Sequence, residues 1–396
     1  MIDVEYDLSG VRIDATSSDV IARYWDLLPL TDPIGRVPTR CGNTPIVHAK
    51  RLGKKLGLEN LFLKDETRNP TGTVKDRQAE IVLSWFREIG IQHFTSSATG
   101  NTSTAFSTAC IANPPFEHSV FIGDRWLNRL NFPDHPRIHV WVLEGATVNE
   151  GIAFAKEWNA KNGLQPEGGL YNLGRREGLK LPFFEAVDEL ETSFDVYLQG
   201  ISTAIGVYAT YKAATQYMTL GRIDRLPRLV CVQEATCAPM VAAFRDGSET
   251  IREHHVVTNP TGIAEAIQKG DPSDSYGYIR DIVTRTRGSF EAVTADEIRT
   301  ARAEIFEYEG IPACNSSATT IAALKQMIEA RTVQRDERIL AMITGSDRPR
   351  TVYPRRYNRV VRRGGSWELV GEVSAGDQDG RGGDRARSAV VHGAES

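Results

Sequence analysis

One lysine has a setting suited to covalent chemistry. In Asn69-Pro70-Thr71-Gly72-Thr73-Val74-Lys75-Asp76-Arg77, a turn built on Pro70 and Gly72 delivers Lys75 just as a helix begins. A helix N-terminus and partial burial both disfavour an ammonium ion. The neutral amine is a nucleophile that forms Schiff bases with aldehydes. Three small-residue loops follow. Residues 96–103, Ser96-Ser97-Ala98-Thr99-Gly100-Asn101-Thr102-Ser103, crowd hydroxyls, a glycine and an amide at a helix start. Such a terminus receives a carboxylate or phosphate, although the same residue types also serve as ordinary caps. Gln199-Gly200-Ile201-Ser202-Thr203-Ala204-Ile205-Gly206 turns N–H groups outward before a helix beginning at Val207. Ile343-Thr344-Gly345-Ser346 puts a hydroxyl at the carboxyl end of the last apolar strand, where open α/β sheets bind ligands.

These loops need a scaffold, and the apolar pattern predicts one. Strands are expected at 60–64, 92–95, 119–122, 138–142, 196–198, 229–232 and 339–343. Helices are expected at 76–89, 103–112, 148–162, 181–190, 206–220, 294–309 and 318–330, the first with Ile81, Val82, Trp85, Phe86 and Ile89 on one face. Strand–helix alternation of this extent implies open parallel sheets covered on both faces. Residues 1–40 read as a helix plus extended wrapping. Residues 348–363 hold seven arginines and no acid, and 374–396 are almost devoid of apolar residues. The end of the chain is therefore expected to be a solvated, largely disordered tail.

With 396 residues, 41% hydrophobic and 25% charged, the chain has the composition of a globular enzyme. A net charge of −4 argues against a nucleic-acid-coating protein. No apolar run reaches membrane-spanning length, and the acidic N-terminus is unlike a signal peptide, so a cytoplasmic location is expected. Cys41, Cys110, Cys231, Cys237 and Cys314 form no C-x-x-C pair and read as free thiols. His254-His255 has no third ligand at metal spacing. There is no H-E-x-x-H, P-loop or G-x-S-x-G, so no metal site is expected.

Taken in order, Gly42-Asn43-Thr44-Pro45, the N-P-T-G-T-V-K-D-R segment, the T-G-N-T loop, Leu229-Val230-Cys231-Val232-Gln233 with Ala238-Pro239, Glu309-Gly310-Ile311 and the terminal T-G-S resemble the fold-type II pyridoxal-phosphate enzymes. Within that family the chain is most similar to threonine synthase and its relatives. Asn172, Arg175, Glu177, Gly178 and Lys180 look like that group's N-x-x-R-x-E-G-x-K stretch, and residues 263–272 resemble its A-x-A-I-x-x-G-x-P stretch. The resemblance covers about residues 40 to 350 and implies an α/β fold. It would consist of two open-sheet domains of the tryptophan synthase β-like kind, with pyridoxal 5'-phosphate in the cleft between them. Residues 1–79 and 166–350 would form the large domain, 80–165 a small mobile domain, and 351–396 the tail.

The resemblance also implies roles. Lys75 carries the cofactor as a Schiff base and moves protons. Asn101 bonds the cofactor's 3-oxygen, and Thr99 and Thr102 hold the substrate carboxylate. Ser202, Thr203, Ala204 and Gly206 wrap the phosphate, and Thr344 faces the pyridine nitrogen. A small-molecule amino-acid substrate and a homodimer are implied. The reaction expected first is O-phosphohomoserine plus water giving threonine and phosphate. The phosphate loop and Glu167-Gly168-Gly169 look closer to cysteate synthase, which joins O-phosphoserine and sulfite. Another β-replacement enzyme or lyase, or a non-catalytic metabolite binder, are the other readings. Arg77, Arg175 and Lys180 are candidates for holding a leaving phosphate.

Overall fold

The computed structural model describes residues 3–347 and 356–374. Every run predicted as a strand is one, within two residues at either end. Two six-stranded sheets result. The first contains β1 (Ile46–His48), β2 (Asn60–Asp65), β7 (Val196–Gly200), β8 (Arg228–Glu234), β9 (Ser289–Val293) and β10 (Arg338–Ile343), in the spatial order 1-2-10-7-8-9. All its pairs are parallel except β1 with β2. The second contains β3 (His93–Ser97), β4 (Glu117–Gly123), β5 (Ile138–Leu143), β6 (Gln165–Pro166), β11 (Arg356–Arg363) and β12 (Ser366–Ser374), in the order 12-11-5-4-3-6.

The strands of the first sheet are apolar at nearly every position because both faces are buried. Tyr197, Leu229, Cys231, Leu340 and Met342 face one apolar layer. Their neighbours Val196, Leu198, Val230, Val232, Ile339, Ala341 and Ile343 face the other. A one-residue slip would exchange the two sets. In the second sheet Phe94, Val120, Ile122, Val140 and Val142 pack under the helices Lys75–Glu88 and Asn101–Ala112. Phe121 and Leu143 face the helix Val148–Asn162 instead.

Among the described residues before 40, the helical content is limited to short turns, Leu8–Gly10, Val20–Arg23 and Trp25–Leu27, in a segment that buries Val20, Ile21, Tyr24 and Leu27. The expected disordered tail over 351–396 is corrected for part of its length, since residues 356–374 form the hairpin β11–β12. Asn358–Val360 pair in parallel with Trp141–Leu143 of β5. Val360 is fully buried. Arg359 pairs with Glu144 and Arg362 with Glu150, and Arg362 also lies over the Trp367 ring. An unpaired β5 would be an open sheet edge, and the hairpin closes it. The rest of that tail, 351–355 and 375–396, lies outside the described residues.

Candidate active site

The lysine turn is fastened at both ends. Asn69 accepts the Gly42 N–H on its Oδ1 and donates from Nδ2 to Glu66, and its carbonyl accepts the Gly72 N–H at 2.8 Å. Gly72 has φ +74°, where a side chain would be strained. Asp76 reaches back to accept the N–H and hydroxyl of Thr71. The Val74 N–H donates to the Thr344 carbonyl at 2.9 Å, and the Ser346 N–H donates to the Gly72 carbonyl at 2.9 Å. The lysine turn and the T-G-S segment at the end of β10 are thus one rigid unit.

Lys75 begins the helix Lys75–Glu88 and keeps some solvent access. Its amine is pulled down to about 8, first by burial and then by the charge of Arg175, with Glu167 opposing. Arg175 is paired with Glu167. The amine is therefore far easier to deprotonate than an ordinary lysine.

Thr344 is fixed by the helix Asn315–Glu329. The hydroxyls of Ser317 and Thr344 lie 3.2 Å apart, and Ser317 Oγ also accepts the Gly345 N–H at 3.0 Å. Cys314 Sγ is 3.3 Å from Ser317 Oγ. The phosphate-type loop joins the same helix start. A Cβ on Gly200 would sit 2.4 Å from the Ser316 carbonyl oxygen, so only glycine permits this approach. Ala204 then takes φ +56° immediately before the helix Ile205–Thr219. A left-handed non-glycine residue at a helix start is the kind of strain that binding loops retain. The side-chain hydroxyls of Ser202 and Thr203 are half-buried and make no hydrogen bond to the described residues.

Across the cleft, Gly100 has φ +117° and passes so close to Arg129 that a Cβ would meet the arginine Cβ at 2.8 Å. Asn101 then opens the helix Asn101–Ala112. A cavity of about 330 Å³ is lined by Asn101 and Arg129 on one side and by Cys314, Ser316 and Ser346 on the other. Arg129 spans it to Glu265 at 3.0 Å. Thr99 is half-buried and Thr102 is buried, and neither hydroxyl has a partner among the described residues.

All three phosphate candidates have a carboxylate partner, and two of them are also fully enclosed. Arg77 is sealed in the interior, donating to Glu66 at 2.7 and 2.9 Å, to Glu185 at 2.7 Å and to Thr44 at 3.0 Å. Lys180 is buried against Glu177 at 2.5 Å, the Leu27 carbonyl and Gln216. Only Arg175 stands near Lys75. Sequence reasoning missed Ser317 and the Arg129–Glu265 bridge. Ser317 lies in an unremarkable Ser-Ser pair, and the bridge joins residues 136 positions apart.

The donor set fits pyridoxal phosphate. It offers an easily deprotonated amine, unpartnered hydroxyls and N–H groups at a helix start for a phosphate, and a fixed hydroxyl at a strand end. Comparison with known proteins agrees. The family described as "Pyridoxal-phosphate dependent enzyme" matches residues 37–122 and 128–345. A threonine synthase of Methanocaldococcus jannaschii is 30% identical, the match covering 87% of this chain and 86% of that protein. A cysteate synthase of Methanosarcina mazei is 25% identical, over 84% and 83% respectively. Threonine deaminase isoform 2 of Solanum lycopersicum shares the fold with a TM-score of 0.64 at 16% identity, over 86% of this chain and 92% of that one. With the site geometry, these matches make the chain a member of the pyridoxal-phosphate-dependent enzyme family, a threonine synthase-like lyase or synthase of elimination and replacement chemistry.

Proposed function

We propose that the enzyme converts O-phosphohomoserine and water to threonine and phosphate. The observation that carries this reading is Lys75, an amine with a pKa of about 8 beside the guanidinium of Arg175. A base of that strength operates near neutral pH, and the cation beside it suits an anionic substrate. The greater identity to a threonine synthase than to a cysteate synthase supports the substrate assignment.

When bound, pyridoxal phosphate supplies the electron sink into which charge left at the substrate Cα spreads. In our reading Lys75 anchors it, then takes the Cα proton and returns one later in the sequence. Asn101 holds the cofactor's 3-oxygen. Ser202 and Thr203, with the backbone of Ala204 and Gly206, hold its phosphate. Thr99 and Thr102 take the substrate carboxylate. Thr344, oriented by Ser317, meets the ring nitrogen with a hydroxyl. A hydroxyl does not keep that nitrogen protonated as a carboxylate would, which favours elimination and replacement over transamination. Arg175 is the cation placed to receive the substrate phosphate. We take 80–165 as the core of a small mobile unit, and the enzyme as a cytoplasmic homodimer. Among the described residues no helix is long and apolar enough to cross a membrane.

The phosphate loop and the Glu167-Gly168-Gly169 stretch, which look closer to cysteate synthase, favour one competing reading, cysteate formation from O-phosphoserine and sulfite. Phosphate release is measured from both substrates, with and without sulfite, and the amino-acid product is identified. Threonine from O-phosphohomoserine supports the proposal. Turnover of O-phosphoserine only with sulfite overturns it in favour of the second reading. A yellow, cofactor-loaded protein that turns over neither removes both.

A further inference from the structure

The sequence spacing gave no reason to expect a metal site, because residues 93, 117 and 139 are far apart along the chain. The second sheet brings them together. His93 pairs in register with Glu117, and His139 pairs with Ser119, two residues further along β4. Alternation along parallel strands therefore projects His93, Glu117, Ser119 and His139 from one face. That face is opposite the one where Phe94 and His118 are buried. The donors lie near the amino ends of β3, β4 and β5. The proposed cofactor loops leave the carboxyl ends, so the two sites are at opposite edges of the sheet.

We propose that His93, Glu117 and His139 bind a divalent transition-metal ion of the zinc type. The His139 Nε2–Glu117 Oε2 distance is 3.4 Å and the His93 Nδ1–Glu117 Oε2 distance is 3.8 Å. All three donors lie within 4.8 Å of one another. Ligand bonds of ~2.0–2.2 Å in a tetrahedral shell require donors roughly 3.4 Å apart, so small side-chain rotations complete the set. The three groups are half-exposed, which leaves a position for water. His93 Nε2 lies 3.0 Å from Ser119 Oγ. A proton held there by the hydroxyl fixes the tautomer whose Nδ1 lone pair faces Glu117, the supporting contact that ligating histidines use.

The other histidine cluster lacks this property. Asp246 supplies the third group beside His254 and His255 that their sequence spacing did not show. His255 Nδ1 accepts the Arg252 N–H at 3.0 Å. In the neutral ring its proton therefore sits on Nε2, donated to Asp246 at 2.9 Å. The nitrogen that faces the cluster has no free lone pair.

Zn²⁺ is titrated calorimetrically into tag-free, cofactor-loaded protein, and the bound metal is examined by X-ray absorption. One equivalent with a sulfur-free shell containing two imidazoles is expected. His139→Ala and Glu117→Gln weaken binding at least ~100-fold, Ser119→Ala by ~10-fold, and His254→Ala and Cys314→Ser leave it unchanged. No saturable binding by the wild type overturns the proposal. So does loss of binding in His254→Ala or Cys314→Ser with retention in His139→Ala.

Discussion

Arg77→Met tests whether the helix that carries Lys75 is anchored by charge. Its guanidinium makes bonds of 2.7 to 3.0 Å to two buried carboxylates and the Thr44 hydroxyl, and Lys64 adds a 2.6 Å bond to Glu185. Burial alone would raise the pKa of Glu185, but Arg77 and then Lys64 outweigh it and hold it at about 2, against an ordinary 4.5. Removing one partner of such a buried pair costs ~3–5 kcal/mol. The sign follows from the lowered pKa. The stabilisation is complete above pH 4.5 and disappears as the pH falls towards 2. Urea unfolding should therefore show the variant ~3–5 kcal/mol less stable near neutrality, with the deficit shrinking below pH 4.5. A loss under ~1 kcal/mol, or one that ignores pH, refutes the reasoning. A fully stable variant that fails only to bind substrate phosphate would return Arg77 to the anion site.

Three further outcomes are expected. Arg175→Gln removes a charge that helps burial depress Lys75, so the amine's pKa rises from about 8; the pH midpoint for uptake of pyridoxal phosphate by the apoprotein, followed by visible absorption, should move upward, and an unmoved midpoint contradicts the assignment. Gly100→Ala strains a residue at φ +117° and meets Arg129 at 2.8 Å, so Asn101 is displaced and cofactor should be lost on dialysis that the wild type survives. Val360→Asp buries an unpaired charge at a fully enclosed position; hydrogen exchange of the residue 141–143 amides should accelerate, and unchanged protection would mean that the hairpin does not secure β5.

The sequence was most readable where one physical signal dominated. Strands β2, β3, β4, β5, β7, β8 and β10 follow from short apolar runs, while β6, β9 and the helices Pro239–Arg245 and Tyr276–Arg285 were not expected, and the lysine turn follows from Pro70, Gly72 and Lys75. Charged groups were harder, because sequence shows that Arg77, Arg175 and Lys180 are cations but not which one is enclosed. Burial turned Arg77 and Lys180 into structural ions and left Arg175 beside the amine. The hairpin β11–β12 was hidden by composition. Seven arginines suggested a solvated tail, but Val360 is enclosed, and Arg359 and Arg362 are tied to Glu144 and Glu150. Ser317 and the three metal-type donors carry no local signature; only strand register and helix placement bring them to their partners.

The parallel pairing of β11 with β5 has a consequence for biosynthesis. The two strands are separated by β6 and by four strands of the first sheet, β7 to β10. A ribosome therefore releases β3, β4 and β5 long before the segment that seals them emerges. Throughout that interval the flank of β5 presents bare amides and carbonyls to any passing chain, and a product truncated after β10 would keep that exposure permanently.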